Sequence, residues 1–245
     1  MITGSMKMAD VIHLDHSLLP VINRFGIQLG FGDKDVEEIC REKNVNIDFF
    51  LEILNIFHDP NYFPKDHLQE FDMELILTYL EKTHEFYLEY EVPKIESLIN
   101  ELISSCEIRK ENIYLLRNFF MNYKEELTTH IKREDETVYP YIRQLVKEIQ
   151  SGKISEPLKV QMNEYPIEAF ADEHDNVEEK LFDLKNIIIK YLPPPKNSNL
   201  CNRILFRLFE LEKDLNDHAR LEDVILIDKV KDLEKGAKEL LKLKK

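Results

Sequence analysis

The stretch Asp217-His218-Ala219-Arg220-Leu221-Glu222 decides the fold, and Thr129-His130-Ile131-Lys132-Arg133-Glu134 nearly repeats it. Each sets a His and a Glu four residues apart. On an α-helix that spacing stacks both side chains on one face, one turn apart. His84 and His174 complete a series of single His, His-x3-Glu, single His, His-x3-Glu, at intervals of 46, 44 and 44 residues. In an antiparallel helical hairpin, residues at one height are equidistant from the turn. The midpoints of the three intervals fall at residues 107, 152 and 196. The first lies in the polar stretch 104–112, the second in Gln150-Ser151-Gly152-Lys153, the third at the end of Pro193-Pro194-Pro195-Lys196. All three carry turn or breaker chemistry. The spacing predicts an all-α, up-down-up-down four-helix bundle with four histidines at one level. Its second and fourth helices run the same way, so Glu134 and Glu222 lie one turn further along on the same side.

Hydrophobic periodicity supplies the helices. The first is expected over 66–103, with Leu77, Leu80, His84, Leu88, Ile95, Leu98 and Leu102 inward and a kink at Pro93. The second, over 110–149, turns Phe119, Tyr123, Leu127, His130, Glu134, Val138, Tyr141 and Leu145 inward and bends near Pro140. The third, over 165–192, carries Ile167, Phe170, His174, Val177, Leu181, Leu184 and Ile188. The fourth, over 198–235, carries Ile204, Leu208, Leu211, Leu215, His218, Glu222, Ile225 and Lys229.

The bundle is expected over 65–245, behind a linker at 58–64 with two prolines. Residues 1–57 read as a small N-terminal helical domain, in which 1–5 are set aside as a cloning remnant. Its helices are expected over 17–25, ending at Gly26, from the cap Asp33-Lys34-Asp35 to Lys43, and over 49–57 behind Asn46. Helices this short bury little alone, so the unit must pack on other chain.

Composition narrows the function. Apolar residues make up 43% of the 245, with only six glycines, as in a helical globular protein. No apolar run is long enough for a membrane span, and no signal peptide is visible. Cys40, Cys106 and Cys201 form no C-x2-C spacing, which argues for a reducing compartment and a cytoplasmic protein. A net charge of −14 repels phosphate backbones, so neither nucleic acid nor membrane is an expected partner. The basic run at 235–245 reads as cations at a helix C-terminus.

The six singled-out residues sit on otherwise apolar stripes, where a carboxylate costs several kcal/mol unless paired or metal-bound. Six ligands exceed what one tetrahedral zinc with an open site uses. They suit two ions, each taking two histidines and sharing two bridging glutamates. Imidazole and carboxylate without thiolate point to iron first and manganese second. Asp217, Glu173, Glu126 and Asp175 are candidates for orienting the imidazoles.

With His84, His130-x3-Glu134, His174 and His218-x3-Glu222 in this order, the chain resembles the hemerythrin-like fold, and within it the iron-sulfur cluster repair di-iron family. The resemblance extends to the N-terminal helical domain. It implies two non-haem iron ions per chain, oxo-bridged and bridged by Glu134 and Glu222, with manganese or zinc as substitutes. It further implies reaction with O2, NO or peroxide, iron-sulfur proteins as partners, and a role in cluster repair or the nitrosative and oxidative stress response. One departure is plain. Where that family carries a vicinal cysteine pair, residues 25–32 contain no cysteine, so a dithiol step lacks its residues. Two other readings stand beside repair: a sensor of oxygen, NO or redox state acting through the N-terminal unit, and an oxygen carrier. The carrier is the weaker, because oxygen-carrying relatives use a fifth histidine and an aspartate bridge, and no further inward His is found.

Overall fold

The computed structural model describes residues 1–105, 110–172, 177–191 and 198–242, and their regular structure is helical apart from one isolated bridge between Lys7 and Asp35. The chain forms two compact units: Met1–Phe86 with Asp217–Leu226, and Tyr87–Asn216 with Ile227–Lys245.

The first unit opens with α1 (Met8–Leu14), α2 (Leu19–Arg24), α3 (Val36–Lys43) and α4 (Ile47–His58). The starts of α3 and α4 follow from local chemistry. Asp35 and Glu38 form a reciprocal capping box on α3, and the Asn46 side chain accepts the Phe49 N–H at 2.9 Å to open α4. Asn44 ends α3 in the left-handed region, with φ 54°. Met8, Val11, Leu18, Ile22, Val36, Phe50 and Ile53 are fully or nearly fully buried, and α2 packs on α4 and on α6 (Met73–Phe86). At that contact Phe25 stacks on Tyr79 with centroids 5.2 Å apart, and the buried Arg24 lies 4.8 Å over the Phe86 ring.

Two features of this unit differ from expectation. The first five residues belong to the fold: Ile2 is buried, its N–H donates to Asn55 Oδ1 at 2.6 Å, and Asn55 Nδ2 donates back to the Ile2 carbonyl at 3.0 Å. The long first helix is also broken. A short α5 (Lys65–Glu70) ends at Phe71, and the Asp72 carboxylate accepts the Glu74 N–H at 2.8 Å to start α6 afresh.

The second unit carries the long helices: α7 (Val92–Ser105), α8 (Lys110–Arg133), α9 (Tyr139–Ser151), α10 (Glu156–Glu164), α11 (Ile167–Asp172), α12 (Val177–Asn186), α13 (Ser198–Leu221) and α14 (Ile227–Lys242). The last turn of α13, from Asp217, is assigned to the first unit. The architecture is the up-down-up-down bundle, with α7 and α12 on α8, and α9 and α11 on α14. Gly152 closes α9 with φ 67° and its N–H on the Ile149 carbonyl at 2.9 Å, at the expected turn. The third helix opens with α11 close to the expected start at 165, and a further helix precedes it. Ser155 and Pro157 start the separate α10, and Pro166 interrupts the chain before α11.

π-helical turns occupy Tyr87–Glu91, Glu134–Val138, Ile187–Tyr191 and Glu222–Leu226. Two of them stand where bends at Pro93 and Pro140 were expected. A proline ring clashes with the carbonyl four residues back, and those residues, Glu89 and Glu136, lie inside widened turns that relieve the clash. Each π turn adds a residue and shifts the stripe beyond it. Beyond Glu222–Leu226, Val230 is buried where Lys229 was expected; Tyr87, three residues after His84 and the first of its π turn, is buried where Leu88 was expected. On α8 the inward ring is Phe120, with Phe119 on the flank, because the buried set Leu116, Phe120, Tyr123, Leu127 keeps strict helical spacing.

Candidate metal centre

His218 and Glu222 stand on one helical stripe, His218 in the last turn of α13 and Glu222 as the first residue of a π turn. Their side chains meet, Nε2 to Oε2, at 3.3 Å. His84, from the last turn of α6, brings its Nε2 to 3.0 Å from His218 Nε2, the rings 4.9 Å apart at 61°. The donor atoms of His84, His218 and Glu222 all lie within 4.8 Å of one another. Each of the three is at most 5% exposed.

The second unit repeats the motif. His130 lies in the last turn of α8 and Glu134 begins the next π turn, with Nε2 3.2 Å from Oε1. Glu134 is fully buried, and the His130 side chain is 16% exposed. His174 lies outside the described residues, as do Glu173 and Asp175. Of the candidate orienting acids, Asp217 is buried beside His218, whereas Glu126 is exposed and pairs with Lys180.

The donor set fits a metal. Two imidazole nitrogens each about 2.1 Å from one ion stand roughly 3.0–3.4 Å apart, and the His84–His218 separation falls in that range. Two facing imidazoles and a carboxylate, all withdrawn from water, form a costly core cluster that a cation would stabilise.

Polar groups that the sequence did not single out stand near these helices in the second unit. Tyr87, fully buried, donates its hydroxyl to Asp214 Oδ1 at 2.6 Å. Glu91 accepts from Arg207 Nη1 at 2.8 and 3.0 Å; burial pushes its carboxyl up, and Arg207 partly offsets this. These pairs join residues more than a hundred positions apart, so only a conserved charge pattern or a fold could have found them. In the first unit Arg220, between His218 and Glu222 in sequence, lies 4.2 Å over the Phe63 ring.

The hemerythrin HHE cation-binding domain matches residues 94–230. The chain belongs to that family. Over its whole length this family member is also homologous to iron-sulfur cluster repair proteins. It is 19% identical over 232 residues to the iron-sulfur cluster repair protein ScdA of Staphylococcus haemolyticus, covering 94% of this chain and 99% of that protein. The ScdA of Staphylococcus epidermidis is 18% identical over the same length, covering 94% and 100%. The iron-sulfur cluster repair protein YtfE of Escherichia coli is 27% identical over 111 residues, 45% of this chain and 44% of that protein. Like the sequence, the described structure offers no membrane helix: no described helix is long and apolar enough to cross a bilayer.

Proposed function

We propose that this HHE-family chain is a non-haem di-iron protein that reacts with O2, NO or peroxide, in iron-sulfur cluster repair or the nitrosative and oxidative stress response. The observation that carries the reading is the buried contact of His84, His218 and Glu222, at 3.0 and 3.3 Å. The full-length relatives named for cluster repair support the direction.

In this reading His84, His130, His174 and His218 would supply nitrogen donors, and Glu134 and Glu222 carboxylate donors, to two iron ions. The metals, when bound, supply Lewis acidity and electrons to a small ligand. The chain's own residues do the rest. The His-x3-Glu spacing presents nitrogen and oxygen donors from one helical face. Burial withdraws His84, His218, Glu134 and Glu222, each at most 5% exposed, from water. Iron-sulfur proteins are the proposed partners, and manganese or zinc the proposed substitutes for iron.

The test is metal content with the optical spectrum of aerobically purified protein, wild type against Glu134→Ala/Glu222→Ala. About two irons per chain, with near-ultraviolet bands lost in the double variant, supports the reading. No metal after anaerobic iron reconstitution overturns it.

A sensor is the second reading, favoured because the turn bearing His218 and Glu222 falls in one compact unit with the N-terminal helices. Proteolysis between residues 58 and 64 that depends on the oxidation state of the centre separates sensing from repair.

A further inference from the structure

Arg220 sits two residues after His218 and two before Glu222. At 3.6 residues per turn it leaves the helix about 200° from His218, on the side away from the ligands. There its guanidinium lies 4.2 Å over the Phe63 ring, and Nη1 donates to the Pro60 carbonyl at 3.3 Å. The π turn that follows, Glu222–Leu226, meets α5, whose Leu68 is buried. The strap at 60–63 is anchored in its own right, since Tyr62 donates to Glu52 Oε2 at 2.6 Å and the Tyr62 N–H donates to the Asp59 carbonyl at 2.9 Å.

We propose that Arg220 is a positioning residue for the metal centre: by locking onto Phe63 and Pro60 it fixes the rotation at which the helix presents His218 and Glu222. The inference rests on the metal-binding reading above and names how the centre is held. A π turn is a poor rotational stop on its own, because its hydrogen bonds are strained relative to an α-helix. Glu222 opens such a turn. The ligand face is inward and buried, so the outer face is where an external clamp can act. A planar guanidinium stacked on a ring and bonded to a carbonyl restricts rotation in a way a lysine ammonium does not. If the clamp is released, both donors lose alignment together, since both lie within two residues of it. That links occupancy of the centre to the packing of the 58–64 strap.

The experiment titrates Co(II) into the full chain, with the ligand-field spectrum reporting donor geometry. The variants are Arg220→Ala, Arg220→Lys and Phe63→Leu, with Tyr62→Phe as a control that loosens the strap without touching Arg220. Phe63→Leu retains an apolar side chain and lies far from the ligands in sequence, so it tests the clamp even if Arg220→Ala folds poorly. The expected result is a roughly tenfold to hundredfold loss of Co(II) affinity and the same spectral shift in Arg220→Ala and Phe63→Leu. Arg220→Lys should recover part of both, and Tyr62→Phe should keep the wild-type spectrum. Wild-type affinity and spectrum in Phe63→Leu, or a spectral shift in Tyr62→Phe as large as in Phe63→Leu, overturns the proposal while the metal centre stands. Absence of Co(II) and iron binding in the wild type overturns the metal reading itself, and the role of Arg220 with it.

Discussion

His84 Nε2 and His218 Nε2 face each other at 3.0 Å, the same nitrogen from two helices that are 134 residues apart in the chain. A proton and a metal ion compete for those lone pairs, and a metal needs both neutral. If the pair holds one ion, His84→Ala and His218→Ala should each lower bound metal by about one equivalent per chain, leaving the second ion in place. Elemental analysis after anaerobic reconstitution reads this directly. Loss of both equivalents in either single variant would show that the two ions bind only together.

Metal addition should also acidify the solution. Any imidazolium at the cluster must give up its proton on coordination, so a weakly buffered chain titrated with Fe(II) should release protons in proportion to metal bound. The Glu134→Ala/Glu222→Ala variant should release none.

Cys40 is buried in α3, and burial pushes its thiol up to about 11. At pH 8 the folded chain should resist iodoacetamide at Cys40, and denaturant should expose it to full labelling, as read by peptide mass spectrometry. The linkage has a sign. The folded state holds this proton more tightly than the unfolded one, so the associated stability is present below pH 9 and falls as pH rises towards 11. Rapid labelling at pH 8 would contradict the burial.

Glu234 accepts the Tyr141 hydroxyl at 2.5 Å and the Ile167 N–H at 2.9 Å, tying α14 to α9 and to the start of α11. Glu234→Ala strands both donors in a buried place and should cost about 2–4 kcal/mol of stability in urea unfolding. Glu234→Gln retains an acceptor and should cost less. Burial and the Glu234 carboxylate both raise the Tyr141 hydroxyl.

Asn55 fastens Ile2 by two reciprocal hydrogen bonds. Asn55→Ala should destabilise the N-terminal helices by about 1–3 kcal/mol and raise amide exchange over residues 1–5.

The sequence was most legible where local chemistry acts. Asp35 and Asn46 capped α3 and α4 as their side chains require, and the stripe through Leu77, Leu80 and His84 ran on one face. The contact of His218 with Glu222 was legible from spacing alone, because an i,i+4 pair is fixed by helix geometry. Legibility failed where the backbone departs from 3.6 residues per turn. Val230 replaced Lys229 inward after the extra residue of a π turn that composition does not announce, and Tyr87, which opens another such turn, replaced Leu88. Ser155 and Pro157 did announce α10 at its start, and were passed over because the third helix was sought further on. Arg220 was not singled out, because its partners, Phe63 and Pro60, are some 160 residues away.

Glu134 and Glu222 are each the opening residue of a widened turn. Such a turn is a seam: a helix can gain or lose a residue there and regain its phase within one turn. Segments beyond the seam, α9 and α14, can therefore lengthen, shorten or drift in sequence without re-aiming the carboxylate behind them. Insertions and deletions among distant relatives should accordingly collect just after these glutamates, while the three residues between each histidine and its glutamate stay fixed in number.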